Sequence, residues 1–240
     1  MPLFLKVIST GSKGNCYILR GIYSESLIID AGVPIKKVLP HIPDVYKIEG
    51  CLVSHEHNDH SKAIKDYDLR GIKVLTSTGT WKALGYDRQG IEAMKPIKLK
   101  HFTVMPFDVQ HDAEQPFGFL IRYEITKETF LYATDTYYLK YLFPGVNFWL
   151  IECNYCDDLL NDETDKVLKN RLKESHMSLR RLKDALSAND LTDTEKIIIC
   201  HLSDQRSNEM QMVSEISELT GIDTVAATDG MNIELSLTPF

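Results

Sequence analysis

The sequence predicts an α/β fold in which β-sheets are sandwiched between helices, and three observations predict it. Strand-like runs rich in β-branched and aromatic residues recur along the chain, bounded by turn residues. Helical patterns are fewer and lie between several of these runs. The early runs follow one another through short turns while the later ones alternate with helices, which fits neither an all-β barrel nor a parallel doubly wound sheet.

In chain order the runs are FLKVIST, CYILRG, SLIIDAG, GCLVSH, IKVLTS, HFTVMPFDV, FGFLIRYEI, TFLYATD, NFWLIEC, KIIICH and NIELSL. Among the helical patterns, SKAIKDYDLRG stops at Gly71 and EMQMVSEISELTG at Gly221, glycine being the residue that most readily takes the left-handed turn after a helix. LRRLKDALSA spaces Leu179, Leu182 and Leu186 along one face. No repeat, low-complexity tract or Pro/Ser-rich linker divides the chain, and 240 residues at 43% hydrophobic can bury one core, so residues 1–240 are expected to form one domain. The one compositional shift, YCDDLLNDETDKVLKNRLKES at 155–175, is highly charged and reads as an exposed helical insertion or lid.

Composition bounds the setting. The formal charge of −7 opposes the basic field that a long nucleic-acid duplex rewards, although it leaves a local basic patch open. Five cysteines without framework spacing read as reduced thiols. The start MPLFLKVISTG lacks the layout of a signal peptide, and no apolar run is long enough to span a bilayer. A soluble cytoplasmic protein with no membrane partner is expected.

Chemistry concentrates in VSHEHNDHSKAI, where His55, His57, Asp59 and His60 fall within six positions directly after an apolar run. Strand alternation would place His55 and His57 on one side, and a turn at Asn58 would return Asp59 and His60 toward the same point. Two imidazoles suit one first-row divalent ion and the carboxylate and imidazole a second. Eight histidines spread over the chain would rarely cluster this way by chance.

HxHxDH after a buried strand resembles the signature of the metallo-β-lactamase superfamily. That resemblance implies an αββα four-layer sandwich and further ligands later in the chain. The candidates in matching order are His111 in FDVQHDAEQPFG, Asp135 in FLYATDTYY as the bridging carboxylate, and His201 in KIIICHLSD, each after a hydrophobic run. Asp112 and Asp229 compete with Asp135, which is preferred because it lies between His111 and His201. Asp30 in LIIDAG matches a family position that fixes histidine orientation from behind the ligands; otherwise it caps a turn before Gly32. His41 and His101 match nothing in the family and read as surface or packing residues.

Glu152 in LIECNY and His176 in ESHMSLRR fall in the order seen in tRNase Z-like phosphodiesterases of this superfamily. A carboxylate beside an imidazole would keep it protonated for a departing alkoxide. At the level of whole segments, STGSKGNCYIL, IIDAG, VSHEHNDH, TWKAL, HDAEQPFGF, ATDTYY and CHLSD resemble the YycJ/WalJ branch of metal-dependent exonucleases, and are similar as well to phage-borne anti-Pycsar cyclic-nucleotide phosphodiesterases. The resemblance thus implies two divalent ions, zinc first and manganese also tolerated, with Asp59 orienting the attacking hydroxide and His176, held by Glu152, protonating the leaving oxygen. The substrate is a nucleic-acid end or a small cyclic nucleotide, and a catalytically silent metal-binding module is the third reading. No residue is assigned to substrate binding. Relatives of this fold often dimerise, which leaves a homodimer open.

Three further features have plainer readings. Ser12, Gly14 and Asn15 read first as a hairpin turn and second as a phosphate-facing loop. Cys153 and Cys156 form a lone CxxC without the context of a zinc or redox motif. Tyr137, Tyr138 and Tyr141 read as packing before base stacking.

Overall fold

Alternation along the strands decides the layering. The computed structural model describes residues 3–160 and 166–237. β1 (Leu3–Ser9) buries every second residue, so Leu3, Leu5 and Val7 face one core. It is followed by β2 (Cys16–Arg20), β3 (Ser26–Ile29), helix α1 (Ile35–Val38), β4 (Ile48–Leu52), the short helices α2 (Asn58–Ser61) and α3 (Ile64–Leu69), β5 (Val74–Leu75) and α4 (Thr78–Ala83). Next come β6 (Ile97–Lys98), β7 (Phe102–Asp108), β8 (Phe117–Tyr123), β9 (Thr129–Ala133), β10 (Phe148–Glu152), α5 (Lys166–Ser175), α6 (Leu179–Ala188), β11 (Lys196–Cys200), α7 (Glu209–Thr220), β12 (Asp223–Ala226) and β13 (Asn232–Leu235).

Two mixed sheets result. One runs β13-β1-β2-β3-β4-β5, the other β12-β11-β10-β9-β8-β7-β6. In the first, β3, β4 and β5 pair in parallel; in the second, β9 through β12 do. β10 shows why its sequence is continuously apolar: Phe148 and Leu150 enter the core between the sheets, while Trp149 and Ile151 pack under α6 and α7 with Leu182, Leu186, Met212 and Ile216. On the far side, Ile18, Ile28 and Cys51 meet Ile35, Val38, Ile64 and Tyr67. The layers are therefore helix, sheet, sheet, helix, as the sequence predicts. Among the described residues no helix is long and apolar enough to cross a membrane.

The eleven expected runs each contain a strand, but five elements were not legible. β6 has two residues, β12 is the short run DTVA, and α1, α2 and α4 span fewer than two turns, so none shows enough of a period to stand out. Of the charged stretch 155–175, residues 161–165 lie outside the described residues; α5 covers its end, and Cys153 and Cys156 on its N-terminal side are buried beneath α6. The parallel strands of both sheets end at one edge of the sandwich, and every candidate metal ligand lies just beyond it.

Candidate active site

The His55–His60 loop is built differently from the expected strand and turn. β4 stops at Leu52, and Asn58 opens the one-turn helix α2 rather than a tight turn. Long-range backbone bonds then aim the side chains: Asn15 N–H donates to the Asp59 carbonyl (2.6 Å), Ala31 N–H to the His60 carbonyl (2.7 Å) and Ala63 N–H to the Ala31 carbonyl (3.0 Å). Gly32 makes this approach feasible, because a Cβ there would sit 1.8 Å from the Asp59 carbonyl oxygen.

Seven residues predicted from the sequence converge. His57 Nδ1 lies 3.1 Å from both His55 Nε2 and His111 Nε2. Asp135 Oδ2 lies 3.5 Å from His55 Nε2 and 3.6 Å from His111 Nε2. In a second group, His60 Nε2 is 3.5 Å from Asp59 Oδ2 and 3.2 Å from Asp135 Oδ2, and His201 Nε2 is 3.4 Å from Asp59 Oδ2. Donors held about 2.0–2.1 Å from a tetrahedral zinc stand roughly 3.3 Å apart, so both sets have the spacing of a ligand shell. Asp135 belongs to both groups and its Oδ2 reaches each, so the two donor sets adjoin and share a carboxylate, an arrangement that suits a pair of ions.

Protonation follows the crowding. Burial pushes the Asp135 carboxyl up, but the facing His201 and His60 imidazoles overcome it and hold the group well below the carboxylate range. Asp59 is likewise held low by hydrogen bonds from His201 and His60 against the effect of burial. Burial, reinforced by His60, drives His55 toward its neutral form, the form that ligates a cation.

Support for the candidate ligands comes from Asp30 and from groups the sequence reading did not place at the site. Asp30 was expected behind the loop, and its Oδ2 accepts from His60 Nδ1 at 2.6 Å, which leaves Nε2 for a cation. The same carboxylate accepts from the Ser54 amide (2.8 Å) and hydroxyl (3.0 Å) and from the Tyr132 hydroxyl (2.5 Å). His111 Nδ1 donates to the Ser175 carbonyl at the end of α5 (2.8 Å), and Asn154 Nδ2 to the His201 carbonyl (2.8 Å). Asn15, read as part of a hairpin turn, also places Nδ2 3.0 Å from His60 Nε2. Asp30, Asp135 and His201 all adopt positive φ (62°, 45° and 56°), a conformation unfavourable for these residues and retained where surrounding structure enforces it.

Beside the two groups, His176 Nδ1 donates to Glu152 Oε1 at 2.6 Å, and the imidazole stacks on His201 with centroids 5.4 Å apart. Glu152 is fully buried, and its other oxygen accepts from the amides of Thr136 (3.0 Å) and Met177 (3.1 Å). Burial favours neutral partners, but the pair's mutual attraction wins, holding Glu152 down and His176 up. The pair stands at the wall of an open cavity of about 590 Å³, lined also by Ser12, Asn154, Arg171, Ser203 and Arg206.

The remaining candidates lie outside the donor groups. His101 pairs with Glu49 (2.5 Å) and His41 is exposed. Asp229 accepts from the Thr10 amide, and Tyr141 packs on Phe107. Tyr137 lies under the Arg181 guanidinium, while Tyr138 is exposed.

A family model described as the β-lactamase superfamily domain matches residues 26–202, most of the chain and a span that contains every candidate metal ligand. The chain belongs to the metallo-β-lactamase superfamily. The curated Exodeoxyribonuclease YycJ of Bacillus anthracis is 28% identical over 92% of this chain and 91% of its own length. Among solved structures, the metallo-β-lactamase fold protein YhfI of Bacillus subtilis superposes with a TM-score of 0.74 at 17% identity, covering 98% of this chain and 100% of that one. Zn(2+)-bound PqqB from Methylobacterium extorquens gives 0.70 at 11% identity, over 97% and 100%. These likenesses are in fold. Together with the paired donor groups, superfamily membership makes the chain a metal-dependent hydrolase.

Proposed function

We propose that the chain hydrolyses phosphodiester bonds at nucleic-acid ends, with His55, His57, His111 and Asp135 holding one divalent ion and Asp59, His60, Asp135 and His201 the other. Zinc suits a set with five imidazoles, and its two carboxylates also accept manganese. Two such ions, when bound, lower the pKa of water toward neutrality and draw charge from the phosphoryl oxygens. Asp59, partly exposed at the cavity, accepts a hydrogen bond from the attacking water and aims it. Asp30 and Ser175 keep the His60 and His111 rings in the ligating orientation. His176 donates its Nε2 proton to the leaving oxygen, and Glu152 keeps that ring charged and fixed.

The observation that carries this reading is the Glu152–His176 pair at 2.6 Å, because a proton donor held beside two cation sites serves a departing alkoxide. The 28% identity to a protein described as an exodeoxyribonuclease supports a nucleic-acid substrate. The test is turnover of bis-(p-nitrophenyl) phosphate by protein loaded with zinc or manganese. Chelator-sensitive hydrolysis is expected, followed by release of nucleotides from end-labelled single-stranded DNA. No turnover with either metal overturns the proposal. Hydrolysis of 3′,5′-cyclic nucleotides in preference to DNA replaces it with the cyclic-nucleotide reading.

A further inference from the structure

We propose that Arg171 and Arg206 form a cationic clamp at the cavity mouth that grips phosphates flanking the scissile one, so that the substrate is a polynucleotide strand and not a ligand with a single phosphate. This rests on the phosphodiesterase reading above. Among the described residues lining the cavity, these two arginines are the only permanently charged cations, and they come from separate elements, α5 and the loop after β11. Neither faces a carboxylate within ion-pair distance among the described residues; Arg206 Nη1 has only the neutral Gln205 Oε1, at 3.4 Å. Three other arginines are engaged elsewhere: Arg88 by Asp68, Arg180 by Asp157, and Arg181 by the Lys173 carbonyl and the Tyr137 ring. The acidic rim residue Asp204 is engaged by Lys13 at 3.7 Å.

The clamp is positioned relative to the chemistry. α5 is tied to a metal ligand through the Ser175 carbonyl and His111 Nδ1, and the Arg206 carbonyl accepts from the Cys156 amide at 2.9 Å. Guanidinium forks match phosphate oxygens bidentately, and a diester engaged at the donor groups leaves both forks without an anion unless the substrate continues. A 3′,5′-cyclic mononucleotide has no second phosphate. The surrounding charge agrees: residues 166–183, which carry His176, contain seven Lys/Arg and one Glu in a chain of formal charge −7. Basic residues therefore concentrate on this segment against the sign of the whole chain.

The experiment measures binding of a fluorescent phosphorothioate oligodeoxynucleotide, which resists cleavage, to the zinc-loaded full chain across a salt series. R171A and R206A should each lower the slope of log K against log salt by about 0.7, the value for one lost single-strand phosphate contact, and the double variant by about 1.4. The variants should raise KM on DNA about tenfold more than on bis-(p-nitrophenyl) phosphate, and R171K should recover the slope with part of the affinity. An unchanged slope, or equal KM losses on both substrates, overturns the clamp. Preferential turnover of cyclic nucleotides by the unmodified chain also overturns it while leaving the phosphodiesterase reading intact. A chain that hydrolyses neither diester ends that reading, yet the binding slope still decides the clamp.

Discussion

Replacing Gly32 by alanine adds one methyl group where the metal loop crosses the end of β3. The new Cβ would lie 1.8 Å from the Asp59 carbonyl oxygen, 2.7 Å from its carbon and 2.5 Å from the Asn15 amide nitrogen. All three are backbone atoms, so no side chain can rotate away. Ordinary contact begins near 3.4 Å, and the loop must retreat by about 1.6 Å. Gly32 does not occupy the left-handed region, so alanine itself fits the backbone and the penalty is purely one of overlap. Relieving it stretches the Asn15-to-Asp59 hydrogen bond of 2.6 Å and the Ala31-to-His60 bond of 2.7 Å. Asp59 and His60 then leave the roughly 0.5 Å tolerance a constellation of ligands demands. Zinc affinity of the half-site containing them should fall about 10–100-fold, and the metal-free protein should lose roughly 1–3 kcal/mol. Competition with a calibrated chelator, with metal analysis and a denaturant melt, measures both. Two zinc ions bound with affinity within about twofold of the unmodified chain would show that the loop does not depend on this contact.

Other perturbations separate the roles of individual residues. Asp30→Asn keeps the shape but removes the anion facing His60 Nδ1, and should cost about 10–100-fold in metal affinity, read by the same chelator competition; an unchanged affinity argues that the ring needs no carboxylate. His176→Ala should slow diester hydrolysis by about 10²–10⁴-fold while two metal ions remain bound; loss of metal in this variant contradicts its assignment as proton donor. Asp135→Ala should deplete both ions because the carboxylate serves both groups, whereas His57→Ala should deplete one, a contrast read by metal analysis after dialysis. Leu182→Ala, buried between α6 and β10, should destabilise by about 2–5 kcal/mol without changing metal stoichiometry, as measured by denaturant unfolding.

How far the sequence reached depended on the kind of residue. Imidazoles and carboxylates announce ligation by their own chemistry, so HEHNDH stood out by density, while His111, Asp135 and His201 were found through the ligand order that the resemblance to the superfamily implies. Periodicity likewise exposed the long strands and α6, but the two-residue β6 and the one-turn helices have too little of it to read. The support of the site was hidden for a different reason. Ser54, Tyr132 and the Ser175 carbonyl are ordinary groups that acquire a role only when distant segments meet, as when Tyr132 crosses 102 positions to reach Asp30.

The sequence alone therefore determined which groups can ligate, the order in which they occur and the layered α/β scaffold, because those follow from side-chain chemistry and local repeat. Tertiary structure decided the spacing of the donors, the hydrogen bonds that orient their rings and the placing of Arg171 and Arg206 at one mouth. Such features depend on backbone paths set by packing between segments far apart in the chain, and no local pattern encodes where those paths cross.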